Sequence, residues 1–264
     1  MRNRMRTRIA GLILAGVMIL TGRPGLWAQS NSSAASGDQK PAPRRPDGKP
    51  DLTGVWGVAA NIDYFTKDVP PFTEWGAARY KVAREGTRTP LDQGREDVDP
   101  MLSPYCMVPG FPRIYLRPSP VEIAQTRDRV LMLFEVNTTW RVIYMDGREH
   151  PQGAPPTWMG HSVGRWDGDT LAVETVAMNE LTWLDSMGTP HSDALRIDER
   201  IRRVAEDRME MDLTFEDPKA YTRPWRGTRN WVLKPDWQLM EYGVCDTPAT
   251  DLYLEEVVQG KYGE

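Results

Sequence analysis

Residues 194–216 read ALRIDERIRRVAEDRMEMDLTFE, and this stretch decides the fold class. Successive side chains of a β-strand point to opposite faces, so a half-buried strand alternates apolar and polar residues. In RMEMDLTFE, Met209, Met211, Leu213 and Phe215 fall on one face, and Glu210, Asp212, Thr214 and Glu216 on the other. In the preceding segment Leu195, Ile197, Glu199 and Ile201 share a face, opposite Arg196, Asp198, Arg200 and Arg202. The two strands form a hairpin across Ala205–Asp207. Glu199 is the exception, an acid on an apolar face. A buried carboxylate has to be paired or hydrogen-bonded, and desolvation raises its pKa. That is one route to a general acid or base. A buried salt bridge with an arginine such as Arg141 or Arg229 is the other reading.

Short β segments with polar turns continue on both sides. PVEIAQ (120–125) turns at Thr126–Arg129 into VLMLFEV, and WRVIYMDG ends in a turn at Asp146 and Gly147. WMGHSVGRW, the turn Asp167–Asp169 and TLAVETV make the clearest hairpin. WRGTRNWVL and WQLMEYGV are joined at Lys234–Asp236, and the same alternation turns Glu241 inward as a second acid. DLTGVWGVAA (51–60) is a first strand. One helix is expected, with Thr73 as N-cap ahead of EWGAARYKVARE, Trp75, Ala78 and Val82 on one face, and Gly86 as the stop. Six prolines between 86 and 118 make a long proline-rich loop. The expected architecture is mainly β, an antiparallel meander closing into a barrel, with one N-terminal helix.

The N-terminus carries Arg2, Arg4, Arg6 and Arg8, then an apolar run from Ile9 to Leu20, then Gly22, Pro24, Gly25 and the small Ala28. This is the layout of a signal peptide over 1–28 and points to a periplasmic or secreted protein. Residues 29–50, rich in Ser, Ala, Gly and Pro, read as a flexible linker, leaving 51–264 as a single β-barrel-like domain. Loss of the signal segment removes five arginines and shifts the formal net charge from −4 to −9. An acidic chain disfavours nucleic acid as a partner, and no stable membrane insertion is expected after cleavage. Cys106 and Cys245 are the only two cysteines, and in an oxidising compartment they are expected to form a disulfide. Closing so long a loop stabilises by on the order of 4 kcal/mol. Nothing in the sequence fixes an oligomeric state.

The segment 156–200 holds His161 and His191, and His150 lies just before it. His161 shares a strand face with Met159 and Val163, and His191 follows an aromatic excursion suited to folding over a barrel mouth. His161, His191, Asp185 and Glu199 are ligand types for zinc or iron, but no His-Glu-x-x-His or His-x-His spacing is present, so no metal is expected. No glycine-rich phosphate loop opens a helix, and no cofactor is expected. Nine tryptophans remain after residue 28. Trp158, Trp183, Tyr144 and Trp231 are candidates to line a pocket for a small hydrophobic or glycosidic molecule.

Gly54-x-Trp56 on the first strand, ahead of a meander, resembles the opening of lipocalin-type (calycin) barrels, which implies a lipocalin-like closure. A larger stretch, 51–246, is similar to a widespread group of secreted bacterial proteins of unassigned function. The phrases that carry this are DLTGVW, IYMDGREHP, PTWMGHSVGRWDGDTLAVET, TWLD, PHSDALRIDER, DPKAYTRPW and LMEYGVC. The resemblance implies that His161, Asp185, His191, Glu199 and Glu241 form one recurring set. Two functions follow. In the first, an exported barrel binds its molecule and His161 or His191 works with Glu199 in acid–base chemistry, as a cofactor-independent lyase, hydratase or hydrolase, with Asp185 orienting a histidine. In the second, the protein is a non-catalytic binding or carrier module and the inward acids are structural.

Overall fold

The computed structural model describes residues 40–85 and 108–240, all within one compact unit spanning Gln39–Glu264. Nine strands close into a barrel in sequence order: β1 (Gly54–Val58), β2 (Val121–Gln125), β3 (Arg129–Phe134), β4 (Thr139–Tyr144), β5 (His161–Asp167), β6 (Thr170–Val176), β7 (Arg196–Ala205), β8 (Arg208–Glu216) and β9 (Trp225–Leu233). Closure comes from β1 against β9, with Trp56, Gly57 and Val58 opposite Leu233, Val232 and Trp231. The hairpin of 196–216 pairs as the alternation requires, Glu199 opposite Leu213 and Ile201 opposite Met211.

The expectation of a purely antiparallel meander is corrected at one place. β4 and β5 run parallel, with Ile143 opposite Ser162 and Tyr144 opposite Val163. A parallel neighbour needs a long crossover rather than a tight turn, and residues 145–160, broken by three prolines, supply it. Nine strands with one parallel pair also depart from the eight-stranded up-and-down closure of lipocalins. Trp56 nevertheless anchors the first strand. Its indole Nε1 donates to the Leu52 carbonyl at 3.0 Å, and the Arg203 guanidinium lies 4.9 Å from the ring centre.

The β2–β3, β5–β6 and β7–β8 turns gather at one end of the barrel. Residues 40–50, expected as the end of a tether, instead lie along that end. Arg44 pairs with Asp169 at 2.6 Å, Arg45 donates to the Gln125 carbonyl at 2.6 Å, and the Glu206 amide donates to the Lys40 carbonyl at 2.9 Å. Exposed turn carboxylates and carbonyls thus find partners in the basic segment that composition alone marks as disordered.

The opposite end is covered by loops and by α1 (Glu74–Glu85). Thr73 caps the helix, its Oγ1 accepting the Gly76 amide at 3.1 Å. The fully buried residues are Gly76 and Ala83; of the expected face Trp75 is half-buried against the core, while Ala78 and Val82 are exposed. Gly76 lets the helix backbone press onto the 217–221 turn, where a Cβ would sit 2.2 Å from the Ala220 carbonyl oxygen, and Ala83 packs on Gly188, where an added Cβ would sit 2.6 Å from the Ala83 Cβ. Trp75 is half-buried against the core beside that contact and carries Arg79 and Lys219 over its ring, at 4.6 and 4.8 Å.

The barrel interior is packed. Inward side chains from every strand are buried, and a 3₁₀ turn at Arg113–Leu116, preceded by buried Phe111, fills the space among them. Tyr115 packs edge-on against Trp231 with ring centres 4.8 Å apart. The segment expected as a proline-rich loop over the domain is therefore, in its described part, a piece of the core. The expected last strand is absent over residues 237–240, where Trp237 and Met240 are exposed. Glu241, Cys106 and Cys245 lie outside the described residues, and so does the expected disulfide.

Candidate functional site

Glu199 points inward from β7, as alternation predicts, and meets Arg141 from β4. Both side chains are sealed from solvent, at 0 and 1 % exposure. Arg141 Nη2 donates to Glu199 Oε2 and Nη1 to Oε1 at 3.2 Å. Its other donors go to Tyr115 Oη, to Ser162 Oγ at 3.1 Å and to Thr175 Oγ1 at 2.8 Å. All five guanidinium N–H groups are thereby used. The four strands involved, β4 to β7, are consecutive neighbours, and Tyr115 arrives from the 3₁₀ turn. The Phe111 ring stacks over the guanidinium at 3.8 Å. Burial opposes the Arg141 charge, but Glu199 and Tyr115 outweigh it and raise the pKa; burial pushes the Tyr115 phenol well above its ordinary value. A carboxylate held this way has its charge balanced by the guanidinium that binds it.

His161 lies on the other side of the wall. On β5, Ser162 takes the inward position and His161 the outward one, so His161 cannot reach Glu199. It stacks on Tyr144, ring centres 5.3 Å apart, and its Nδ1 lies 2.8 Å from His150 Nδ1. His150 Nε2 in turn is 3.2 Å from Glu174 Oε1, close but without hydrogen-bond alignment, and Arg196 holds the other Glu174 oxygen at 2.6 Å. Burial, then His150 and Arg148, lower the His161 pKa and favour neutral imidazole.

His191 and Asp185 sit in the loops over the far end. His191 is buried, with Nε2 3.2 Å from Thr182 Oγ1 and Nδ1 3.1 Å from the Ser192 carbonyl. The carbonyl requires Nδ1 to donate, so Nε2 accepts from the hydroxyl and both nitrogens are satisfied in the neutral ring. Burial lowers its pKa in the same direction. Asp185 Oδ1 accepts the Met187 and Thr189 amides at 2.9 and 3.2 Å, shaping a tight turn rather than orienting a histidine. Asp217, which sequence reading passed over, accepts the Ser192 amide at 2.6 Å and its hydroxyl at 2.9 Å, tying the His191 segment to the 217–221 turn.

The expected set is thus divided among three places: Glu199 in the lumen, His161 on the outer wall, and His191 with Asp185 in the end loops. Among the described residues no group of three or more His, Cys, Asp or Glu side chains is placed to hold a metal ion. The four expected aromatic ligands are equally scattered. Trp231 is core, Trp183 is buried in the end loops, Tyr144 stacks on His161, and half-buried Trp158 gives its carbonyl to the Phe111 amide at 2.8 Å.

A groove of about 380 Å³ opens where β1 ends early. Beyond Val58 the chain leaves the sheet, and residues 59–67 run beside β9, held by the Ala59 amide on the Asn230 carbonyl at 3.0 Å, the Thr228 amide on the Phe65 carbonyl at 3.2 Å and the buried Phe65 packed close over Gly227. Ile62, Tyr64 and Phe65 supply one wall, Lys67 and Arg226 the rim, and Arg229 the floor. A second groove of about 350 Å³ shares Thr66 and Arg226 with it and continues towards Arg223 and Trp225. Nothing periodic marks 59–67 in the sequence, so alternation gave no signal for this opening.

Comparison with protein-family models, with curated proteins and with solved structures found no match to this chain.

Proposed function

We propose that this protein is an exported small-molecule-binding barrel that carries its ligand in the groove between residues 59–67 and β9 and performs no chemistry in its lumen. The observation that carries the reading is the Arg141–Glu199 pair. The inward acid that would serve as general acid or base has both oxygens committed to a guanidinium whose other donors are themselves satisfied. The lumen around it is filled by Phe111, Tyr115 and Trp231, whereas the groove is open and sets Ile62, Tyr64 and Phe65 beside polar and cationic side chains that can orient a ligand. The test is heteronuclear NMR of the protein with a panel of small aromatic and glycosidic molecules. Amide shifts confined to 59–67 and 226–230, with the molecule recovered unchanged, support the reading. Turnover of any panel member by the parent and its loss in a folded Glu199→Gln variant overturn it.

A second reading has one specific observation in its favour. Glu174, His150 and His161 lie in a row on the outer wall, the two imidazoles joined at 2.8 Å and the carboxylate 3.2 Å from His150, so that a small turn of the His150 ring would make the carboxylate–imidazole–imidazole series that supports a histidine base. In that case acid–base turnover would be lost in His161→Ala and His150→Ala and retained in Lys67→Ala.

A further inference from the structure

The floor of the groove holds an incomplete hydrogen-bond set. Arg229 is 4 % exposed. Its Nε donates to the Tyr115 carbonyl at 3.0 Å and its Nη1 to the Ile62 carbonyl at 3.1 Å, while buried Nη2 has no partner among the described residues. A buried cationic donor left open is destabilising, and in native proteins such groups are normally satisfied by protein, water or ligand. Asp63 offsets part of the charge from a distance, but it is absent from the lining and makes no hydrogen bond to Nη2.

The charge of the lining points the same way. Of the twelve residues that form the groove, Lys67, Arg226 and Arg229 are cationic and none carries a carboxylate. This is a concentration of positive charge on a chain with formal net charge −4. Thr66, Thr228 and Asn230 add neutral polar groups, and Ile62 and Phe65 present apolar surface beside them. A site with a guanidinium donor at its floor, cations at its rim and an apolar wall suits an amphiphilic anion. The open Nη2 is a charged donor, and a hydrogen bond from a cationic donor to a carboxylate oxygen is stronger than one to a neutral oxygen.

We infer that the groove binds a small organic carboxylate, whose anionic end meets Arg229 between Lys67 and Arg226 and whose apolar body lies against Ile62, Tyr64 and Phe65. The inference rests on the groove being the ligand site and adds the class of ligand. A buried anion with three cations around it gains from electrostatics that a neutral isostere forgoes.

Isothermal titration, with amide shifts mapping the site, compares benzoate, phenylacetate and octanoate with benzamide, phenylacetamide and octanamide. At least one acid is expected to bind at 59–67 and 226–230 about tenfold or more tighter than its amide, a difference of about 1.4 kcal/mol. The exposed double variant Lys67→Ala, Arg226→Ala is expected to lose most of that preference while remaining folded, which keeps the test sound if Arg229→Gln does not fold. Amides that bind in the groove as tightly as their acids overturn the carboxylate inference and leave the groove reading standing. Absence of binding by all six, or shifts confined elsewhere, overturns both.

Discussion

Arg141 and Glu199 face each other across the barrel interior as a doubly hydrogen-bonded ion pair with no solvent contact. Taking two charges out of water is unfavourable, and the pair is tolerated because every remaining Arg141 donor has an acceptor. Removing one acceptor should therefore be felt. Thr175→Val keeps the shape but leaves an Nη2 hydrogen unpaired in a dry site, and should destabilise by roughly 1–3 kcal/mol. Urea unfolding at neutral pH measures it.

Asp185 should behave as a turn former. Burial raises its pKa, opposed by the Thr189 and Met187 hydrogen bonds. A carboxyl with raised folded-state pKa contributes stability that is present at low pH and lost as pH rises through the folded value. Both amides bond to Oδ1, an atom that asparagine retains. Asp185→Asn should then leave stability at pH 7 unchanged or slightly higher, within about 1 kcal/mol. Its stability profile between pH 4 and 7 should be flatter than that of the parent.

His191 should give the opposite slope. Burial depresses its folded-state pKa below the ordinary 6.5. As pH falls, the unfolded chain takes up the proton first, so this contribution is full above about 6.5 and is lost progressively below it. Denaturant midpoints at pH 7.5 and 5.5 should fall more steeply on acidification in the parent than in His191→Gln, once each is referred to its own value at pH 7.5.

The helix seat is a packing prediction. A methyl at Gly76 collides with the Ala220 carbonyl, which belongs to the backbone and has no rotamer to yield. Gly76→Ala should destabilise by roughly 1–3 kcal/mol despite its better helix propensity. Thermal unfolding, compared with Ala77→Gly on the exposed face, separates packing from propensity.

Much of the barrel was legible because inward and outward residues alternate. Met209 to Phe215 and Leu195 to Ile201 gave the hairpin, its turn and the inward aim of Glu199, and Thr73 marked the start of α1. What stayed hidden lacks a period. Residues 145–160 contain no alternating pattern, so the parallel β4–β5 pairing was invisible, and with it the outward side of His161 and its contact with His150. Tyr115 sits among prolines whose spacing suggests a surface loop, although the apolar cluster Phe111, Ile114, Tyr115 and Leu116 was a sign of burial. Arg141 and Arg229 were both possible partners for Glu199 by composition. Only the register decides that Arg141 takes it and that Arg229 is left at the groove.

The role of Glu199 is tested most directly by urea unfolding of Glu199→Gln. The amide removes the negative charge facing a fully buried guanidinium, so a loss of roughly 3–5 kcal/mol is expected. Unchanged stability in this variant would contradict the account, because it would mean that the carboxylate is not what holds Arg141 in the barrel and is free for another use.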